Sequence, residues 1–294
     1  MLCRRCYAKT KKKCKKILIT GSEGLIGSEL VELLNKDHQV IRADLKVGMD
    51  LRDFETCLEL CNGVDEVYHL MGVKGSPQMT QTKPVDFMAP MLQCDTNMIV
   101  AAQICKVKKF LYTSSIALLN LDTDFFPGTA KQTAETLIDA MKVQYPKGTK
   151  YCVVRPASVY GRYENFDRDN LMFISKMIKQ TVIEGKDIEL WNDGESLRDV
   201  IHARDVARAM IKVLNKKYTP KTWLPIGSGY GEKLVDIAKI IAKHAKVKLK
   251  IGPKGKTDSR TMELKWNFKP KVNLEEGIKE TIEYVRNNYN CDTN

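Results

Sequence analysis

Residues 17–34 read ILITGSEGLIGSELVELL, and the fold turns on how this stretch is read. A short aliphatic run ends at Thr20, glycines follow at Gly21, Gly24 and Gly27, and apolar residues then recur at helical spacing from Leu25. Glycine permits a tight turn, a close approach of backbone to a ligand, and close packing of helix on strand. The helix start behind the turn offers unpaired N–H groups and partial positive charge, a natural seat for a pyrophosphate. The spacing is G-x-x-G-x-x-G, and a glycine trio alone equally describes a structural turn. Its place at the head of an alternating series raises the binding reading.

That series runs outward from the turn. QVIRAD (39–44) is strand-like, LRDFETCLELC (51–61) helical and VDEVYHL (64–70) strand-like. PMLQCDTNMIVAAQIC (90–105) has apolar positions every three or four residues; KKFLYTSS (108–115) reads as a strand, a helix follows from about Gly128, and TKYCVVRP (149–156) is again a strand. Strands alternating with helices predict right-handed βαβ units, and so an α/β fold with a doubly wound parallel sheet. After Arg155 the rhythm changes: NLMFISKMIKQTVIEG (170–185) predicts one amphipathic helix, DIELW (187–191) a short strand, and three helical segments fill 203–216, 233–246 and 273–288. The expected organisation is an extension over 1–15, a dinucleotide-binding domain over 16–160 and a smaller helix-rich lobe over 161–294, with segments returning to the first domain.

Composition narrows the function classes. The 294 residues carry 48 Lys and Arg against 36 Asp and Glu, a net charge of +12, with 43% hydrophobic residues. Residues 1–16 hold eight of the basic residues and no acid, leaving the body near balance, so a solvated basic extension is expected and not a nucleic-acid-binding body. No apolar run approaches the roughly 18 residues a membrane span needs. Cys3, Cys6 and Cys14 lack a fourth ligand nearby, so no metal is expected; Cys57, Cys61, Cys94, Cys105 and Cys152 sit in apolar segments as small hydrophobes, which points to a reducing, cytoplasmic setting.

The second strand ends in Asp44, 17 residues after Gly27. A carboxylate there accepts hydrogen bonds from both ribose hydroxyls and repels a 2′-phosphate, favouring NAD over NADP; Arg42 beside it could instead reach a phosphate. In DLRD (50–53), Asp50 and Leu51 open the next helix, where an acid also serves simply as a cap.

ITGSEGLIG, RADL, DLRD, VYHLMG, KKFLYTSS, VVRPASVYG, LRDVIHARDVARAM and WNFKPKVNLEEGIKETIEY, in that order, resemble the extended short-chain dehydrogenase/reductases. More narrowly, they are similar to the NAD-dependent epimerase/dehydratase family acting on nucleotide sugars, over about residues 16–290. The resemblance implies a Rossmann-type sheet, NAD as cofactor, hydride transfer at a sugar carbon, and a homodimer built through the Lys131 helix and the one before it. It implies an NAD loop of Gly21, Ser22, Glu23, Gly24, Leu25, Ile26 and Gly27, a ribose acid at Asp44, and adenine-side contacts at Asp50 and Leu51. Met71 and Gly72 match residues against the cofactor, and Pro156 to Val159 the turn flanking the nicotinamide. Ser115 matches the catalytic serine, and Lys131 the catalytic lysine that also bonds the nicotinamide ribose.

The segment GRYENFDRDNLMFISKMIKQTVIEGKDIELWNDGESLRD (161–199) is similar to the GDP-fucose synthase branch of that family. There the resemblance implies substrate contacts from Trp191 and Arg198, seven residues apart, with Lys179 as a further basic contact; Arg260, in the segment PKGKTDSR that departs from the family, is a candidate for an added phosphate contact. Trp191 reads equally well as a core aromatic at a strand end.

The resemblance also has departures. The family's proton-handling tyrosine stands four residues before the lysine, and here that position is Pro127. Ala117 lacks a hydroxyl or thiol, and Met172 stands where fucose synthases place a histidine. Asp122, Asp124, Tyr160 and Tyr163 are candidate replacement acids; the alternative is an NAD(H)-binding pseudoenzyme.

Overall fold

The aliphatic run forms β1 (Lys16–Thr20), and the glycine turn delivers the chain into α1 (Leu25–Leu34). The alternation continues through β2 (Gln39–Ala43), α2 (Phe54–Cys61), β3 (Glu66–His69), α3 (Pro77–Thr82), α4 (Pro84–Ile104), β4 (Lys109–Thr113), α5 (Phe125–Gln144) and β5 (Lys150–Pro156). The computed structural model describes residues 14–73, 77–119, 125–215, 223–264 and 266–289. Most of the basic extension, with Cys3 and Cys6, and the candidate acids Asp122 and Asp124 lie outside the described residues.

β1 pairs in parallel with β2 on one side and β3 on the other, β4 adds to β3 and β5 to β4. A sixth strand, Leu224–Ile226, completes the order Leu224–Ile226, β5, β4, β3, β1, β2. This is the doubly wound Rossmann-type arrangement. Ile17, Leu18 and Ile19 are fully buried, as expected of a central parallel strand covered on both faces. The register sets Thr20 beside His69 and His69 beside Tyr112, one row across the carboxyl ends of β1, β3 and β4.

Contacts divide the chain into two compact units, one running to Arg155 and including Ala207–Leu224, the other holding Pro156–Val206 and the chain from Pro225. The second unit contains α6 (Phe173–Ile178), α8 (Leu234–Ala245) and α9 (Leu274–Asn288); α7 (Ala203–Asn215) bridges the division in sequence. Its core gathers Phe166, Ile178, Ile188, Ile237, Ile241 and Ile278.

Two local expectations need correction. The single helix expected over 170–185 is α6 followed by a π-helical turn, Lys179–Ile183, closed by Glu184 N donating to Lys179 O at 3.1 Å. The cap of α2 is Asp53, whose carboxylate accepts from Thr56 N at 3.0 Å. Asp50 instead folds back on Arg52, accepting from its backbone N and from Nε and Nη2.

Candidate functional site

The turn after β1 has the shape its glycines imply. Gly21 has φ of +65°, and a Cβ there would meet Leu70 O at 2.9 Å. A Cβ on Gly27 would lie 2.1 Å from Gly21 O, so the start of α1 presses directly on the turn. Gly24 is the N-cap and supplies no capping side chain, and no acid stands in the first turn, so the positive end of α1 is left for an external anion. Leu25 is buried and anchors the helix, while Ile26 is half-buried. Ser22 N donates to Ala43 O, tying the turn to the end of β2.

Asp44 stands at that end in extended backbone. Its two carboxylate oxygens accept from Glu23 N at 3.2 Å and Lys46 N at 3.0 Å, which fixes the group beside the turn. The three crowded glycines, the uncapped helix start and the oriented carboxylate fit a dinucleotide with a free ribose diol. Leu51 is buried in the core, with its carbonyl accepting from Asn97 Nδ2. Met71 is half-buried and donates its N–H to Thr20 Oγ1, and Gly72 is exposed.

Below the carboxyl ends of the strands lies a buried polar cluster that sequence reading missed. Thr20 Oγ1 accepts from both Leu70 N and Met71 N, so its own proton goes to His69 Nδ1, 2.7 Å away. His69 is thereby a donor at Nε2, 2.9 Å from Asp95 Oδ1. The Tyr112 hydroxyl donates to Asp95 Oδ2 at 2.5 Å, and Lys131 Nζ stands 3.7 Å from the same oxygen and 4.7 Å from the Tyr112 ring centre. Burial alone would raise the Asp95 pKa, but Lys131 and His69 outweigh it and hold the carboxyl below its usual range. Burial, with the Asp95 charge, drives the Tyr112 phenol well above its usual range. Lys131 is 8% exposed, so it needs a counter-charge, and Asp95 provides one from within the fold. The periodicity of α4 marks Asp95 only as a polar residue among buried ones; the row Thr20–His69–Tyr112 becomes visible only with the strand register.

Pro127 occupies the third position of α5, inside the first turn, where its missing N–H costs no intrahelical bond. It lies one helical turn before Lys131 and brings no ionisable group. Ser115 follows β4 and is half-buried. Next to it, Thr113 Oγ1 and Ser114 Oγ are buried hydroxyls with no partner among the described residues, at the strand ends where such sheets bind ligands.

In the second unit, Val159 and Arg198 line one cleft together with Tyr160, Met172, Phe173 and Leu234. Arg198 (strand Leu197–Arg198) and Arg260 (strand Ser259–Arg260) are register partners in adjacent parallel strands. Both reach Asp258: Arg198 Nη1 at 2.9 Å and Arg260 Nε at 3.5 Å. Burial would raise Asp258, but Arg198 and Ser196 hold it below its usual range. A carboxylate between two guanidinium groups marks a place where an anion is favoured. Trp191 is 89% exposed, which removes the core reading, and Lys176 Nζ stands 5.7 Å from its ring centre. Lys179 Nζ is turned inward to Arg168 O at 3.0 Å and Asp169 Oδ1 at 3.3 Å. Pro156 is buried at the end of β5.

The acids in LRDVIHARDVARAM are structural clamps. Asp199 accepts from Ser228 N, Ser228 Oγ and Gly229 N, and Asp205 from Lys271 N and Val272 N. Tyr160, one candidate replacement acid, is buried with its hydroxyl 3.5 Å from Leu274 O, and burial raises its pKa. Tyr163 packs between Arg162 and Tyr284.

A family model described as the NAD dependent epimerase/dehydratase family matches residues 17–224. The GDP-L-colitose synthase of Yersinia pseudotuberculosis is 27% identical, over 94% of this chain and 100% of its own length. The GDP-L-fucose synthase of Escherichia coli K12 is 23% identical over 93% and 97%. Among solved structures, a UDP-N-acetylglucosamine 4-epimerase from Methanobrevibacter ruminantium M1 superposes with a TM-score of 0.81 at 20% identity, covering 93% of this chain and 99% of that one, a likeness of fold.

Proposed function

Because this chain belongs to the NAD-dependent epimerase/dehydratase family, we propose that it binds NAD and a nucleotide sugar and carries out hydride transfer at a sugar carbon. The observation carrying this reading is the intact cofactor cradle: crowded glycines, an uncapped α1 and an oriented Asp44. The α1 start would hold the pyrophosphate and Asp44 the adenosine ribose. Bound NAD supplies the hydride acceptor. Lys131, held in place by Asp95, would donate to the nicotinamide ribose, and Ser115 would steady the substrate oxygen. Arg198 and Arg260 would take the diphosphate in exchange for Asp258, and exposed Trp191 would offer a stacking face. Both curated relatives are named for GDP-sugars, which puts GDP-sugars first among candidates.

A second reading, a cofactor-binding protein without turnover, is favoured by one specific feature: Pro127 removes the usual proton-handling group, and Lys131 is accommodated by Asp95 without it. Nicotinamide absorbance under single-turnover conditions, with protein in excess over GDP-, UDP-, dTDP- and CDP-sugars, separates the two. Turnover that Ser115→Ala abolishes supports the enzyme. Silence with every sugar, while NADH still binds, supports the second reading. Pro127→Tyr places a phenol one turn before Lys131 and is expected to raise the single-turnover rate by about a hundredfold, the usual scale of general acid–base catalysis. No gain in rate would mean that the missing tyrosine does not limit this protein.

A further inference from the structure

Four charged side chains surround the place proposed for the adenosine ribose: Glu23 in the glycine turn, and Arg42, Asp44 and Lys46 at the end of β2. They are not equivalent. Asp44 is oriented by backbone N–H groups alone, from Glu23 and Lys46. Glu23 is held by a side chain: Arg42 donates from Nε at 2.9 Å and from Nη2 at 2.5 Å and 2.6 Å to the two carboxylate oxygens. The Ser22 hydroxyl adds a bond to Glu23 Oε1 at 3.0 Å. Burial would raise the Glu23 carboxyl, yet Arg42 and Ser22 hold it below its usual range, so Glu23 is a carboxylate at neutral pH.

A guanidinium at this position is the group best suited to a 2′-phosphate, through its fork of donors. Here that fork is already engaged by a carboxylate. We infer that Glu23 is a specificity-determining residue for the cofactor: it sequesters Arg42 in a multidentate ion pair and so denies a 2′-phosphate its cation. Asp44, which repels that phosphate, is thereby left in sole control of the ribose. With both acids present the four side chains sum to zero charge. Neutralising Glu23 leaves one net positive charge and a released guanidinium beside the 2′ position. The inference rests on the reading of Asp44 as the ribose acid and adds a second residue and a different mechanism to it.

The test is fluorescence titration of NADH and NADPH against wild type, Glu23→Gln, Arg42→Ala and the double variant, with a thermal melt to verify folding. Gln keeps the side chain's shape and removes its charge. Wild type is expected to favour NADH. Glu23→Gln is expected to shift the NADPH-to-NADH affinity ratio towards NADPH by about tenfold, the scale of one charge-assisted hydrogen bond. Arg42→Ala in the Glu23→Gln background is expected to reverse that shift. A ratio unchanged within about twofold in folded Glu23→Gln overturns the inference while leaving NAD binding intact. A shift that survives loss of Arg42 overturns it too, as does a wild type that favours NADPH. Binding of neither nucleotide by folded wild type overturns the cofactor reading, and the inference with it.

Discussion

The turn into α1 and the first turns of α5 serve one sheet, yet they differ in how their chemistry is encoded. At α1 the proposed chemistry is carried by backbone: Gly21, Gly24 and Gly27 leave room for one another, and the proposed anion contacts are the uncapped N–H groups. At α5 it rests on single side chains, and there the lysine is present while Pro127 stands where the acid is expected. A backbone site resists drift because a Cβ at Gly21 or Gly27 collides with backbone and one at Gly24 is tightly crowded at 3.2 Å from Gly21 O. A proton-handling site can lose one residue and keep its fold, especially where Asp95 already accommodates Lys131.

The comparison breaks most visibly at Gly27. Gly27→Ala puts a Cβ 2.1 Å from Gly21 O, so α1 must move away from the turn. NADH affinity is expected to fall by at least about a hundredfold in a protein that still folds, as followed by fluorescence titration and circular dichroism. Retained affinity would mean the turn is not the cofactor seat.

Next is Asp95. Asp95→Ala strands the Lys131 ammonium and the His69 Nε2–H in a buried site, and unfolding in urea is expected to show a loss of about 3–5 kcal/mol, the usual cost of breaking a buried pair. A loss below about 1 kcal/mol would show that Lys131 does not depend on this carboxylate.

A pH effect sharpens the contrast and comes from the second unit. His202 is buried, accepts at Nδ1 from Arg204 N, and has no partner for Nε2 among the described residues. Burial pushes its pKa down to about 4 from 6.5. The unfolded chain therefore binds the extra proton first, and stability is expected to decline as pH falls from about 6.5 to about 4, by on the order of 3 kcal/mol. Chemical denaturation across that range should show the slope in wild type and a flatter profile in His202→Gln. An unchanged slope would assign it to other groups. Asp95 acts lower: its depressed pKa contributes stability above the unfolded carboxyl value, lost as pH falls further.

Much of this molecule is legible in one dimension. The β1–α1 turn, Asp44 and the alternating strands follow from local pattern, because glycine sterics and hydrophobic period act between near neighbours in sequence. Other features are not. The apolar spacing of NLMFISKMIKQTVIEG is the same whether the helix continues or relaxes into the π-turn at Lys179. Trp191 reads as core or surface until the packing exposes it. Arg198 and Arg260, 62 residues apart, become one anion-favouring pair only through strand register.

The sequence by itself determined the parallel sheet, the glycine cradle and the absence of a tyrosine before Lys131, since each depends on residues a few positions apart. Only the tertiary structure decided what stands behind that lysine. Thr20, His69, Asp95, Tyr112 and Lys131 come from five separate elements, and a buried charge is made tolerable by whichever groups the fold brings within reach, wherever they lie along the chain.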